Sequence, residues 1–261
     1  MKAKSIRTRI ATPEGLDAVY GVHAVRALFE RGQPPRELWI QEGRAEARLD
    51  SLLDSARQAG VKCVGVARET LDGVAKGAVH QGVIAFAPPL QAESEEALWF
   101  RLGAWQQPSP PLLLILDGVT DPHNFGACLR SADAAGAHGV IVPKDKAAPL
   151  NATVRKVACG AADVTPVYQA TNLSRAMARL KTHGVWIVGT AGESAQSLYQ
   201  VDLSGPVAIV MGAEGKGMRR LTREGCDLLA KLPMTGSVSS LNVSVATGVC
   251  LFEAVRQRHA S

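Results

Sequence analysis

The chain has 261 residues, 46% hydrophobic and 20% charged, with a net charge of +5 and an isoelectric point near 9.1. This balance excludes a disordered chain and a minidomain held by disulfides or metal, while a mild basic excess permits nucleic-acid binding without establishing it. The five cysteines (Cys63, Cys128, Cys159, Cys226, Cys250) are odd in number and lack a Cys-x-x-Cys pair, no signal pattern opens the chain, and no apolar run reaches membrane-spanning length, so the expectation is a cytoplasmic protein without disulfide, zinc or membrane.

Residues 1–18 read as a basic arm, with Lys2, Lys4, Arg7 and Arg9 and no acid in the first ten positions. Such an arm either touches phosphates or is a solvated terminus. Residues 19–90 read as a small α/β domain. Val25, Leu28 and Phe29 have helical spacing behind Gly21, and 37–40 is a short strand. Leu49, Leu52, Leu53 and Ala56 mark an amphipathic helix ended by Gly60; strands follow at 61–66 and 82–87, with a short helix beginning near Arg68. Residues 91–111 read as a linker, because Pro108, Pro110 and Pro111 can continue neither a helix nor a central strand. Trp99, Phe100 and Trp105 suggest a short helix within it that packs on one of the domains.

In 112–261 the alternation strengthens. The run 112–116 is continuously apolar, as a strand buried on both faces requires. Helices are expected at 124–135, 152–159, 173–182 and 241–258, and strands at 139–142, 164–167, 185–188, 207–211 and 229–232. Strand-helix alternation of this kind means an α/β fold with a parallel sheet covered on both faces.

Three segments are compositionally wrong for plain structure. Residues 117–130 leave the end of a buried strand and open a helix, the usual place for a site on a parallel sheet. Asn124 there reads as a helix cap or a site residue, and Arg130 as a surface or site residue near the second turn. Residues 211–218 form a glycine-rich turn at another strand end, neither a dinucleotide fingerprint nor a P-loop, with Glu214 expected to be buried among glycines and in need of a partner. Residues 232–249 carry Thr235, Ser237, Ser239, Ser240, Asn242 and Ser244 straight into an apolar helix containing Gly248 and Cys250.

These segments together resemble the motifs of the SpoU (TrmH-like) branch of the SPOUT methyltransferases: Pro-x-Asn-x-Gly-Ala-x-x-Arg at 122–130, Met-Gly-x-Glu-Gly-x-Gly at 211–217, and Ser-Leu-Asn-Val-Ser at 240–244. Tyr-Gly-Val-His-Ala-Val at 20–25 and Gly-Ala-Val-His-Gln-Gly at 77–82 are similar to the subgroup that methylates a guanosine of 23S ribosomal RNA. One departure is Phe125, where the resemblance leads us to expect an aliphatic residue. The resemblance implies a C-terminal domain with a deep trefoil knot and an N-terminal RNA-binding domain of the L30e type. It implies a homodimer acting on 23S ribosomal RNA, with transfer-RNA methylation or a non-catalytic assembly role as the alternatives. S-adenosylmethionine would be held around Thr190, Ala191, Gly192, Gly212, Gly215, Leu232, Met234 and Leu241. Arg130 would contact the RNA phosphate and the 2′-hydroxyl, helping to remove its proton or leaving that to the phosphate, and Asn124 would position Arg130 or the ribose. Glu214 would hold the knot loops or a substrate group, with Ser240 and Asn242 organising the third motif.

Overall fold

The computed structural model describes residues 11–30, 32–43 and 47–260, so the basic residues Lys2, Lys4, Arg7 and Arg9 lie outside it. The described chain divides into two compact units meeting after Pro89.

The first unit runs β1 (Asp17–Tyr20), α1 (Val22–Glu30), β2 (Glu37–Gln41), α2 (Ala47–Gln58), β3 (Lys62–Val66), α3 (Arg68–Ala75) and β4 (Val83–Ala87). Its sheet has the order β1-β4-β2-β3, with β4 antiparallel to both neighbours and β2 parallel to β3. Side chains of successive strand residues point to opposite faces, so β4 feeds two cores. Val83 and Ala85 join Leu28, Leu38, Leu49 and Leu52, while Ile84 and Phe86 join Trp39 and Leu71. Strand β1 escaped the sequence reading because it is four residues long and only Val19 is fully buried.

The two histidine-containing segments of this unit meet. The Gln81 side-chain oxygen accepts from the Val22 amide at 3.1 Å, satisfying one of the free N–H groups that open α1. His80 is buried; its Nδ1 accepts from the Gly82 amide at 3.1 Å, which leaves Nε2–H to donate to Asp72 Oδ1 at 2.9 Å. Both residues hold the turn together.

The second unit comprises β5 (Glu93–Ser94), α4 (Glu95–Gly103), β6 (Leu112–Asp117), α5 (Pro122–Ala134), β7 (Gly139–Pro143), α6 (Ala152–Val157), β8 (Val167–Ala170), α7 (Leu173–Thr182), β9 (Trp186–Thr190), β10 (Val207–Gly212), α8 (Arg220–Glu224), β11 (Leu228–Ala230) and α9 (Val243–Ala260). Its seven strands are all parallel, in the order β11-β9-β10-β6-β7-β8-β5. Leu112, Leu114 and Leu116 face one core with Phe125, Leu129 and Leu251, while Leu113 and Ile115 face the other with Trp99, Met177 and Leu180. Each such buried side chain contributes roughly 1.5–3 kcal/mol. Arg258, near the end of α9, donates to the carbonyls of Pro110, Pro111, Leu203 and Gly205, tying that helix to the start of β6.

Three expectations change. Residues 91–111, expected as a linker with a short helix packed on one of the domains, carry that helix but belong to the second unit: β5 pairs with β8, and α4 buries Leu98, Trp99 and Leu102 there while Phe100 stays exposed. The strand expected at 164–167 begins where that range ends, because Ala161–Asp163 makes a 3-10 turn and Pro166, lacking an N–H, precedes the first ladder residue. Helix α5 starts at Pro122, not Asn124, since Asp121 is its cap and accepts from the amides of His123 and Asn124 at 3.1 and 3.3 Å.

Candidate active site

In a parallel sheet every strand ends on the same edge, and ligands settle where the strand order reverses. Here β6 is followed by β7 and β8 on one side, while β9 and β10 return on the other. The crevice therefore opens between β6 and β10, where Asp117 and Gly212 are register partners. Asp117 ends a six-residue apolar strand with its carboxylate buried, so it needs a cation. Arg219 supplies one, with its backbone N–H 2.7 Å from Oδ2 and its Nε 2.5 Å from Oδ1.

The glycine-rich turn after β10 is a tight hairpin closed by reciprocal backbone bonds between Ala213 and Gly217. Gly215 and Gly217 take left-handed φ values of 73° and 65°. Gly212 is required for a different reason: a Cβ there would lie 2.2 Å from the Gly217 carbonyl carbon. The turn stands at the surface, so Glu214 is exposed, contrary to the expectation that it is buried; glycines on both sides leave nothing to cover it. It nevertheless has a partner. Glu214 Oε1 accepts from Asn242 Nδ2 at 2.6 Å and from the Val243 amide at 3.4 Å. The same Asn242 Nδ2 donates to Asn124 Oδ1 at 2.9 Å, and Asn242 Oδ1 accepts from the Ser244 amide and hydroxyl. Asn124, Asn242 and Glu214, from three separate segments, thus form one hydrogen-bonded chain.

Behind this chain lies a cavity of about 900 Å³. Thr190, Ala191, Gly192, Gly212, Gly215, Leu232, Met234 and Leu241 all line it, as do Glu214, Ser240 and Asn242. Its wall mixes apolar side chains, two of them (Met234 and Leu241) more than a third exposed, with backbone and small hydroxyl groups. The Thr190 hydroxyl is turned inward to the Val210 carbonyl at 3.0 Å. A strap from Ala191 to Leu198 grips the last strand residues: Ala191 donates to Ala230, Lys231 to Gln196 and Leu198 to Lys231.

Arg130 stands apart. It lies in the third turn of α5, exposed, lines neither this cavity nor its neighbour, and donates from Nη1 to Cys159 Sγ at 3.5 Å. The corner carrying Cys159 is built by two devices. Gly126 lets α6 approach α5, since a Cβ there would meet Val157 Cβ at 2.7 Å. Arg155 and Asp163, both buried, pair bidentately at 3.1 and 2.5 Å across the corner. This pair was missed in the sequence; a charged pair eight residues apart on either side of a turn carries no periodic signal. The Asp117–Arg219 tie was also missed, although a carboxylate closing an apolar strand signals a need for a cation.

Cys128, inside the first motif, is a core thiol. Burial pushes its pKa up to about 11 despite the Thr247 hydroxyl nearby, and burial pushes Cys250 up to about 12. Neither is an activated nucleophile.

Residues 111–252 match the model of the SpoU rRNA Methylase family, and residues 18–93 match the model described as RNA 2′-O ribose methyltransferase substrate binding. The chain is 59% identical over 245 residues to the 23S rRNA (guanosine-2′-O-)-methyltransferase RlmB of Pseudomonas putida, covering 93% of this chain and 97% of that one. It is 57% identical over 244 residues to the protein of the same name from Escherichia coli K12, covering 93% and 99%. Among solved structures, the SpoU methyltransferase AviRb from Streptomyces viridochromogenes in complex with AdoMet superposes with a TM-score of 0.76 at 26% identity, covering 95% of this chain and 92% of that one. By sequence and by fold, this chain belongs to the SpoU rRNA methylase family.

Proposed function

We propose that the chain transfers the methyl group of S-adenosylmethionine to the ribose 2′-oxygen of a guanosine in 23S ribosomal RNA, working as a cytoplasmic homodimer. The observation that carries this reading is the Asn124–Asn242–Glu214 chain, which draws three distant segments together at the rim of the 900 Å³ cavity. Relatives 57–59% identical over nearly the whole chain bear that activity in their names. A tRNA-modifying TrmH/SpoU enzyme from A. aeolicus matches only 64% of this chain, whereas the relatives named 23S rRNA methyltransferases match 93% of it, which favours a ribosomal substrate.

The cavity fits the cofactor in size and in kind. Leu232, Met234 and Leu241 offer apolar surface for a purine, and the backbone of 190–192 and 212–215 offers polar edges. When bound, S-adenosylmethionine supplies a methyl group on a cationic sulfur, so the leaving thioether is neutral and the remaining demand is alignment of a weak hydroxyl nucleophile. Asn242 spends its amide on Glu214 and Asn124, which holds the 213–217 turn against the start of α9. Asn124 accepts through its oxygen and so keeps its NH2 group unpaired among the described residues, ready to donate to a ribose or phosphate oxygen. Arg130 leans on a thiol sulfur, a weak acceptor, and keeps its remaining donors for phosphate. A guanidinium offers donors and no acceptor, so Arg130 orients and neutralises and does not act as a base.

The exposed Val245 and Phe252, seven residues apart on one face of α9, support a second copy packing there. Arg130, outside the cavity of its own chain, fits a site completed across such an interface. We read the path of residues 231–242 behind the 191–198 strap as the deep trefoil knot, supported by the strap's three backbone bonds. The match of residues 18–93 supports an L30e-like RNA-binding role for the first unit.

Mass-spectrometric mapping of ribose methylation on 23S ribosomal RNA, with and without the protein, tests the reading. One guanosine should lose its 2′-O-methyl group when the protein is absent; an unchanged map refutes it. Arg130→Ala should lower methyl transfer at least about a hundredfold while thermal melting stays at the wild-type value, because an exposed side chain contributes little to folding. Near-normal turnover in that variant removes Arg130 from the mechanism.

A further inference from the structure

A second cavity, of about 450 Å³, adjoins the first and shares Ala213, Glu214, Gly217 and Val243 with it. We propose that this cavity seats the acceptor nucleotide, with Lys146 and Lys216 holding its phosphate. The inference rests on the methyltransferase reading and names where its RNA substrate docks.

The unpaired donors decide what the cavity takes. Its three carboxylates are already engaged: Asp117 by Arg219, Asp121 by the first amides of α5, and Glu214 by Asn242. Asp121 and Glu214 stay charged, so the lining balances three carboxylates against Arg219, Lys146 and Lys216, and the charged groups without a partner among the described residues are the two lysines. Lys146 and Lys216 line the cavity, are exposed, and make no hydrogen bond or ion pair among the described residues. The unpaired amide of Asn124 lines it as well. These three unpaired donor groups suit a ligand that is an acceptor, and a phosphodiester is acceptor-only and anionic.

The backbone that carries the lysines is anchored from behind. They come from different loops, yet both loops are anchored at the end of β6. The Ala148 amide donates to the Val119 carbonyl at 2.9 Å, which docks the Lys146 loop. Asp117 grips the backbone and side chain of Arg219, which docks the Lys216 turn. Lys146 itself takes a left-handed φ of 63°, a conformation costing about 1–2 kcal/mol that the loop imposes. The volume suits one nucleotide, and the shared wall places it next to the methyl donor.

The test separates the two cavities by their own methyl groups. Val119 lines only the second cavity and Met234 only the first. In methyl-labelled full-length protein, guanosine 5′-monophosphate at millimolar concentration should shift the Val119 signals, and S-adenosylhomocysteine should shift Met234. The Val119 shift should vanish in the Lys146→Ala/Lys216→Ala double variant, whose Met234 response stays wild type. For an RNA fragment, each single Lys→Ala variant should weaken binding about tenfold and reduce the slope of log affinity against log salt by about one, with Lys→Arg restoring both. The proposal is overturned if guanosine monophosphate leaves Val119 unmoved, if inorganic phosphate alone moves it equally, or if both variants bind RNA with the wild-type salt slope. In those cases an intact Met234 response keeps the methyltransferase reading standing. If S-adenosylhomocysteine fails to move Met234 in the wild type, that reading falls and this inference falls with it.

Discussion

The two units are both sheets with helices packed on them, yet the candidate site belongs wholly to the second. The difference is strand direction. In the first unit β4 runs antiparallel to β1 and β2, so neighbouring strands end on opposite edges and their loops diverge. In the second unit all seven strands run the same way, and the loops after β6, β9 and β10 converge on one edge. A parallel sheet thus gathers distant sequence segments, while a mixed sheet disperses them. The cost is that the converging loops must pack through backbone contacts that leave no room for a side chain.

That contrast can be broken by substitution. The largest effect should come from Gly212→Ala. Its methyl group would sit 2.2 Å from the Gly217 carbonyl carbon, deep inside van der Waals contact with backbone that no rotamer change relieves, so destabilisation at or above about 4 kcal/mol is expected together with loss of cofactor binding. Chemical denaturation and calorimetry read both; a variant that melts and binds as wild type would show that the turn is not rigid. Next is Asp163→Ala, which removes the bidentate carboxylate partner of the buried Arg155 and should cost about 3–5 kcal/mol. Replacing both partners by apolar residues should recover much of that loss, because the penalty lies in burying one charge of the pair without the other.

His138 sharpens the comparison through pH. Burial, with Arg258 nearby, holds its pKa below the ordinary 6.5, and its Nδ1 accepts from the Leu112 amide at the start of β6. The neutral ring is therefore the form that the fold prefers. Its contribution is complete above pH 6.5 and is lost as the pH falls through the depressed folded value. Unfolding free energies measured between pH 5 and 8 should show His138→Asn with a shallower acid slope than wild type; equal slopes would place the proton elsewhere. The smallest effect belongs to the first unit. Lys62 pairs with Glu37 at 3.0 Å on an edge strand, but the lysine is 68% exposed, so Lys62→Ala should cost less than about 1 kcal/mol. A loss several times larger would mean that the edge of the small sheet is as constrained as the site.

Much of this was legible in the residues. The apolar runs at 112–116 and 207–211 were readable as buried strands because parallel strands need apolar side chains on both faces. Helix α7 was readable to its ends because Leu173, Ala176, Met177 and Leu180 repeat at helical spacing behind the Asn172 cap. Strand β8 was displaced because Val164 and Thr165 have strand-like side chains but precede a proline, and β5 was invisible because two residues carry no period. In the candidate site, the motif residues were findable as a set, but Lys146 was not, since a lysine in a loop looks like any solvated lysine. The Asn124 cap reading failed because Asp121, three positions earlier, took the role and freed the Asn124 side-chain oxygen to accept from Asn242.

The sequence by itself determined the two units, the sheet-and-helix alternation and the three segments that matter, because periodicity and turn chemistry are local properties of a chain. Only the tertiary structure decided how those segments meet. Asn242 lies 118 residues from Asn124 and 28 from Glu214, and their pairing follows from β6 and β10 being neighbours across the reversal in strand order. Which carboxylates are spent and which lysines are left free is likewise a sum over non-local contacts. Local sequence can name the groups, but their remaining hydrogen-bonding capacity exists only after folding has assigned the rest.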